Sequence, residues 1–117
     1  MRAPRYRISR ATDVTRDFDL IEDHLVQSYK KFGDDPEDAM ERAAARIDAA
    51  QAYIRTFAAH PHRGTEHPLI RPGLRTVMHK SFVFYFEIDE PSSLVRILAI
   101  FFGGADHRRQ IIDRLRN

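Results

Sequence analysis

The stretch from Leu74 to His107 (LRTVMHKSFVFYFEIDEPSSLVRILAIFFGGADH) limits what this chain can fold into more than any other. It divides into three runs: Leu74 to His79, Phe82 to Ile88, and Leu94 to Phe102. Lys80-Ser81 breaks the first from the second, Asp89-Glu90-Pro91-Ser92 the second from the third, and Gly103-Gly104 stops the third. Runs of this length, rich in Val, Ile and Phe and bounded by turn residues, predict antiparallel strands. The middle run alternates. Phe82, Phe84, Phe86 and Ile88 point one way, and Val83, Tyr85, Glu87 and Asp89 the other, as in a sheet with one face packed and one partly wet. From Ile97 onward the third run is apolar on both faces, which predicts an interior place in the sheet. A three-stranded meander needs a cover for its apolar face, and the rest of the chain supplies one.

Two amphipathic helices are predicted ahead of the meander. Thr12 and Asp13 are candidate caps for the first. Val14, Phe18, Ile21, Leu25, Tyr29 and Phe32 then recur at spacings of three and four, which makes one apolar helical stripe. Asp13, Asp17, Asp19, Glu22 and Asp23 crowd the early turns, where the helix dipole favours negative charge. Gly33 ends the helix. The second begins with Asp35 as N-cap and Pro36 in the first turn. Its expected stripe is Met40, Ala43, Ile47, Ala50, Ile54 and Phe57, and His60-Pro61 stops it. The short Gly/Asp/Pro link makes the pair a helical hairpin, and the many alanines between 39 and 52 allow a neighbouring backbone to come close.

Three shorter pieces complete the order. Arg5 to Ser9 (RYRIS) reads as a short strand added to the meander, with arginines that discourage edge-to-edge pairing. Ala59 to Gly73 (AHPHRGTEHPLIRPG) reads as a loop, held by its prolines and glycines. His107 to Leu115 reads as a short amphipathic helix capped by Asp106. In it Ile111, Ile112 and Leu115 dock, while Arg108, Arg109, Arg114 and Arg116 stay in water. The fold class expected is α+β, a helical hairpin packed on a small antiparallel sheet, in the order β-α-α-β-β-β with a short C-terminal helix. Residues 1–117 have the length of one domain.

Several functions are excluded early. The chain contains no cysteine, so disulfides, thiolate metal sites and cysteine nucleophiles are out. The first residues, MRAPRYRISRATD, lack the apolar core of a secretory signal, and no run is long and apolar enough for a membrane span. The expectation is a cytoplasmic protein. No Gly-x-Ser-x-Gly or GxxxxGK pattern occurs. His60, His62, Glu66 and His67 sit in a proline-rich loop without the spacing of a helical ligand pair, so neither a metal nor a cofactor is expected. Charge is uneven. Residues 13–50 hold eleven acidic and five basic residues, a balance of −6, and the rest holds fourteen basic and six acidic, a balance of +8. A basic part of this kind suits an anionic or acidic partner.

Four strings carry a resemblance: Pro61 with Arg63-Gly64 after the second helix, Gly73-Leu74-Arg75 opening a strand, Phe84-Tyr85-Phe86 in the next, and Gly103-Gly104-Ala105-Asp106 at the close. In this order, across nearly the whole chain, they resemble the RelE/ParE family of toxins from bacterial type II toxin–antitoxin systems, which includes ParE-like plasmid stabilisation proteins. The resemblance implies a small cognate antitoxin, a toxin–antitoxin hetero-oligomer, and one of two targets. ParE-like members poison DNA gyrase without catalysis. RelE-like members cleave mRNA on the ribosome.

If the protein is a metal-independent endoribonuclease, it needs groups that bind phosphate and move protons. The candidates are Arg75, which matches the strand arginine of RelE-like members, together with His79, Lys80 and His107. The chain departs from the nuclease pattern in three ways. Phe102 stands where a histidine is frequent, Ala105 where an arginine is frequent, and no tyrosine follows Tyr85. These departures favour the gyrase reading, with Arg63, Arg71, Arg75, His79, Lys80, Arg108 and Arg109 as candidate target contacts. A plainer role for Arg75 is a cross-strand salt bridge to Glu87 or Asp89. A third reading is a non-toxic binding module of the same fold. The expected antitoxin site is the apolar groove between hairpin and sheet, or a sheet edge.

Overall fold

The computed structural model describes residues 5–104 and 107–116. Its centre is the expected three-stranded meander, with the middle strand one residue longer than the run Phe82 to Ile88. Strand β3 (Leu74–His79) pairs antiparallel with β4 (Phe82–Asp89), and β4 pairs antiparallel with β5 (Leu94–Phe102). Two short strands flank this meander, β1 (Arg7–Arg10) on β5 and β2 (Thr65–Glu66) on β3, giving the order β1-β5-β4-β3-β2. The sheet is mixed rather than wholly antiparallel, because β1 runs parallel to β5. The chain leaves β1 into the helical hairpin and returns through β3 and β4, so β1 meets β5 as the last strand, not the next one. Strand β2 lies inside the segment expected to be loop.

The alternation in β4 decides what each face does. Phe82, Phe84 and Phe86 are buried under helices α1 (Val14–Lys31) and α2 (Pro36–Arg55). There they join Val14, Phe18, Ile21 and Leu25 of α1, Ile47, Ala50 and Ile54 of α2, and Val95, Ile97 and Ile100 of β5. Burying a side chain such as Phe84 contributes roughly 1.5–3 kcal/mol. The other face is drier than the alternation predicts. Val83, Tyr85, Leu74 and Leu98 are covered by Ile111 of helix α3 (Arg108–Leu115), flanked by Ile70 and Leu115. The C-terminal helix therefore docks as expected and completes a second, smaller core. A capping role for Asp106 falls outside the described residues. No helix among the described residues is long and apolar enough to cross a membrane.

Both helices depart in detail from their stripes. Phe32 is 83% exposed and Met40 59% exposed. Phe32 is the C-cap of α1, so the stripe ends before it. Gly33 (φ +110) closes the helix: its N–H donates to Lys30 O and the Asp34 N–H to Tyr29 O, the paired bonds of a Schellman motif. On α2 the buried row begins at Ala39, not Met40, because a small side chain lets the two helices approach. The Asp35 carboxylate caps α2 by accepting from the Asp38 N–H at 3.0 Å. No side chain caps α1, although Asp13 occupies that position. Helix α2 ends at Arg55, and a 3₁₀ turn over Thr56–Ala58 tightens the exit and buries Phe57.

One carboxylate holds three elements together. Asp17 of α1 is 7% exposed. It accepts from the Ile100 N–H at 3.0 Å and from Arg114 of α3 at 2.6 and 3.1 Å. Arg114 also donates to Leu98 O at 3.2 Å. The reason lies in the sheet. Strand β1 ends at Arg10, opposite Ile97, so beyond that point β5 has no strand neighbour on that side. A bulge adds to the need: Tyr85 pairs with Ala99 and Phe86 with Ile97, leaving Leu98 as the extra residue. Asp17 and Arg114 satisfy the backbone groups that a longer β1 would have bonded. Arg114 is thus not the solvated residue expected. The hydrogen bond to Asp17 raises its pKa further above the ordinary arginine range.

Asp17→Ala is expected to lower stability in urea unfolding by about 2–3 kcal/mol. That is less than the roughly 3–5 kcal/mol of a fully buried pair, since Arg114 keeps some water. Asp17→Asn, which retains an acceptor for the Ile100 N–H, should cost less. A loss below about 1 kcal/mol for Asp17→Ala, as for a surface pair, would show that this tie is not central. A second expectation concerns Gly64, whose φ is +80 and whose added Cβ would fall 2.1 Å from Thr76 O of β3. Gly64→Ala should cost more than the about 1–2 kcal/mol of the left-handed backbone alone, and should detach β2 from β3, read as faster amide exchange at Thr65 and Glu66.

Candidate functional site

Of the basic residues singled out in the sequence, Arg63 and Arg75 meet where the loop after α2 reaches the head of β3. Arg75 lies on the helix-facing side of β3, with its side chain 15% exposed. Its guanidinium donates to Arg63 O at 3.0 Å, His62 O at 3.0 Å and the Glu66 carboxylate at 2.7 Å. The anticipated bridge to Glu87 does not form. Glu87 pairs with Leu74 across the hairpin, so Arg75, one residue on, points to the opposite face. Glu87 is taken instead by Arg96 at 3.0 Å and Arg71 at 3.2 Å.

Arg63 is equally occupied. It donates to His60 O at 2.8 Å, Thr56 Oγ1 at 2.8 Å and Thr56 O at 3.3 Å. Its guanidinium lies over the rings of Tyr53 and Phe57 at 4.8 and 4.7 Å. A cation placed so satisfies the carbonyl end of α2. His79, at the far end of β3, stacks flat on the other aromatic partner of this group, with ring centroids of His79 and Tyr53 4.0 Å apart and 5° between planes.

Lys80 is exposed and sits in the turn between β3 and β4. Lys80 and Ser81 both have positive φ, +50 and +72. That matches the two-residue turn favoured in hairpins, but glycine or asparagine ordinarily fills it. The turn is held from outside. Lys80 O accepts from Arg46 at 2.9 Å, and Ser81 O accepts from the Gly103 N–H at 2.9 Å. Arg46 also donates to the Tyr29 hydroxyl at 3.2 Å and lies 5.0 Å over the Phe102 ring.

A third cluster joins chain segments far apart in sequence. Glu90 accepts from the Tyr6 hydroxyl at 2.7 Å, and His62 Nε2 lies 2.6 Å from its other oxygen. The Tyr6 and His62 bonds pull the Glu90 carboxyl below its usual range, and Glu90 in turn pushes the Tyr6 phenol upward. The loop residues weighed as metal ligands have separate engagements: His62 with Glu90, Glu66 with Arg75, and His67 beside the Tyr85 ring on the α3 side. Among the described residues no group of three or more His, Cys, Asp or Glu side chains converges on one point.

His107 stands apart from the others. It is 9% exposed, stacks on Phe101 at 4.8 Å, and belongs to the α3 side of the sheet. His79 faces the helices on the other side. Arg108 and Arg109 are exposed in the first turn of α3. Sequence reasoning missed Arg46, Tyr53, Glu90 and the Asp17–Arg114 pair. Only Asp17 carried a usable signal, since it falls within the buried row Val14, Phe18, Ile21.

No protein-family model matches the sequence, and no curated protein sequence does either. Solved structures do match. A chain of the chromosomal ParDE toxin–antitoxin system from P. aeruginosa superposes with a TM-score of 0.65 at 19% identity, covering 85% of this chain and 97% of that one. A chain of the RelBE2 toxin–antitoxin complex from Mycobacterium tuberculosis superposes at 0.55 with 14% identity, covering 84% and 98%. The fold described above, a helical hairpin on a five-stranded sheet with a short terminal helix, is thus shared with a chain of each of these toxin–antitoxin complexes.

Proposed function

We propose that this protein is the toxin of a type II toxin–antitoxin pair, and that it acts by binding DNA gyrase rather than by cutting RNA. The fold shared with chains of the ParDE and RelBE2 complexes supports the first half. One observation carries the second: the candidate nuclease groups do not converge. His79 and His107 lie on opposite faces of the sheet, and Arg75 is committed to Glu66 and two loop carbonyls. In-line cleavage of a phosphodiester needs an acid, a base and a cation around one phosphorus. Arg63, Arg71 and Arg75 serve mainly to hold the loop and the sheet. Lys80, with His79 beside it, and Arg108 and Arg109 form the outward basic contacts of the target surface.

The cognate antitoxin is a small acidic protein that covers this basic margin, in a hetero-oligomer within the cytoplasm, and the pair serves plasmid stabilisation, the role that the resemblance to ParE-like proteins suggests. Two features support basic contacts selected for something other than folding. Cations in the first turn of α3 oppose the helix dipole. Lys80 and Ser81 occupy a backbone conformation that costs a non-glycine residue roughly 1–2 kcal/mol.

Expression without antitoxin is expected to stop growth, induce the DNA-damage response and trap gyrase cleavage complexes. DNA breaks and mRNA cuts are scored separately in the same cells. Codon-associated mRNA cuts that vanish in Arg75→Ala, with intact supercoiling, would replace gyrase by the ribosome as target. Harmless overexpression would leave a binding module. In addition, replacing the turn by Lys80→Asn with Ser81→Gly should raise stability by about 1–2 kcal/mol while weakening toxicity. Unchanged toxicity in the stabilised variant would remove Lys80 from the target surface.

A further inference from the structure

The sheet has two edges. One ends in β2, which is only two residues long. The other ends in β1, and its bonds to β5 show which backbone groups are already used. The Arg7 N–H donates to Ser93 O and the Ala11 N–H to Ile97 O, both at 2.8 Å. Along a strand these groups alternate from one side to the other. The N–H and C=O of Ile8 and Arg10 therefore point away from β5, and among the described residues they meet no hydrogen-bond partner. The side chains along this edge are equally unengaged. Arg5, Arg7 and Arg10 are exposed, and none has a hydrogen bond or ion pair among the described residues. Arg10 borders the groove between α1 and α2 beside Asp19 and Asp48 but bonds neither. The Ile8 side chain packs into the core beneath the helical hairpin, which holds β1 in its extended form.

An open edge is a template for another strand unless charge turns that strand away. Here the charge has one sign. It disfavours a second copy of this chain, since two β1 edges would bring their arginines together. We propose that the outer edge of β1 takes up an extended acidic segment of a partner protein, which joins the five-stranded sheet as a further strand. The segment's backbone bonds Ile8 and Arg10, and its carboxylates lie against Arg5 and Arg7. Alternating donors and acceptors at strand spacing are what another peptide backbone presents. A nucleic-acid backbone would satisfy the arginines, but its phosphates only accept, so the carbonyls of Ile8 and Arg10 would gain nothing from them. The inference shares with the proposed function only the acidity of the partner. Its test reads binding and not toxicity, so the two fail separately.

The test uses the full-length ¹⁵N-labelled protein and three capped pentapeptides: Glu-Val-Glu-Val-Glu, its counterpart Lys-Val-Lys-Val-Lys, and the acidic peptide with every backbone nitrogen methylated. The acidic peptide should slow amide exchange at Ile8 and Arg10, whose N–H groups face outward, more than at Ser9. The methylated peptide should bind at least about fivefold more weakly, the worth of one net hydrogen bond, and the lysine peptide should not bind. Arg5→Glu combined with Arg7→Glu, both surface changes, should weaken the acidic peptide and admit the lysine peptide. Arg10→Pro should also weaken the acidic peptide, because proline is tolerated on an edge strand and lacks the outward N–H. The glutamate pair decides the matter if the proline variant does not fold. Equal binding of the acidic and methylated peptides, slowed exchange at β2 or β3 in place of β1, or no binding of the acidic peptide would overturn the proposal. So would acidic-peptide binding that the glutamate pair leaves unchanged.

Discussion

The Asp17 carboxylate stands where three elements must agree. A strand as short as β1 cannot cover the full length of β5, and the bulge at Leu98 turns an extra carbonyl outward. Bare backbone groups at that point would be buried under α1, and each would carry the cost of an unmade hydrogen bond. The solution draws one side chain from each neighbouring helix. Asp17 takes the Ile100 N–H, Arg114 takes Leu98 O, and the two neutralise each other. Position and charge are then coupled. Helix α3 docks against the second core only where Arg114 also reaches Asp17, so the C-terminal helix is fixed by a polar tie as well as by Ile111. Its burial is favourable because every bond is made; half of this arrangement would be worse than none.

A similar economy governs the loop after α2. An arginine has five donors in a rigid fork, and Arg63 and Arg75 use theirs on carbonyls at 56, 60, 62 and 63. A proline-rich segment of this length has few backbone partners of its own. The two guanidiniums replace the secondary structure it lacks, and Gly64 lets it lie against β3. The residue types that suggest phosphate chemistry in the sequence are here the scaffold of a loop.

Most of the architecture was legible because it rests on periodicity. The alternation in β4, the stripe from Val14 to Leu25, the Asp35-Pro36 start of α2 and the stop at Gly33 each have a local cause, and the structure follows them. What was not legible depends on partners far away in sequence. Nothing near Arg114 announces Asp17, 97 residues earlier. The parity of β3 relative to β4 sets which face Arg75 takes, and that parity follows from the two-residue turn at Lys80-Ser81. Counted forward from that turn, Arg75 and Glu87 fall on opposite faces, so the sequence contained the answer once the turn length was taken seriously. Met40 and Phe32 illustrate a different limit. Both fit a stripe by spacing, yet helix–helix distance and a helix end override it. The candidate site was less legible than the fold, since side-chain identity shows what a residue is able to bind and not what it already binds.

That distinction changes how the basic half of the chain should be weighed. A surplus of eight positive charges outside residues 13–50 suggests a broad cationic surface. Yet Arg71 and Arg96 share Glu87, Arg75 holds Glu66, Arg114 holds Asp17, and Arg63 is folded onto carbonyls and rings. Paired charges of this kind project little field beyond a Debye length of about 8–10 Å. The outward cations of this half include Arg5, Arg7 and Arg10 at β1, Lys80 at the β3–β4 turn and Arg109 at the start of α3. At Lys80 and Arg109, as at Ser93 in the β4–β5 turn, local backbone energetics argue against the residue present. A left-handed turn prefers glycine to Lys80, and a helix N-terminus prefers an acid to Arg109. Where local preference and observed residue disagree, a functional or strained site is expected, and two of these disagreements, at Lys80 and Arg109, fall on outward cations.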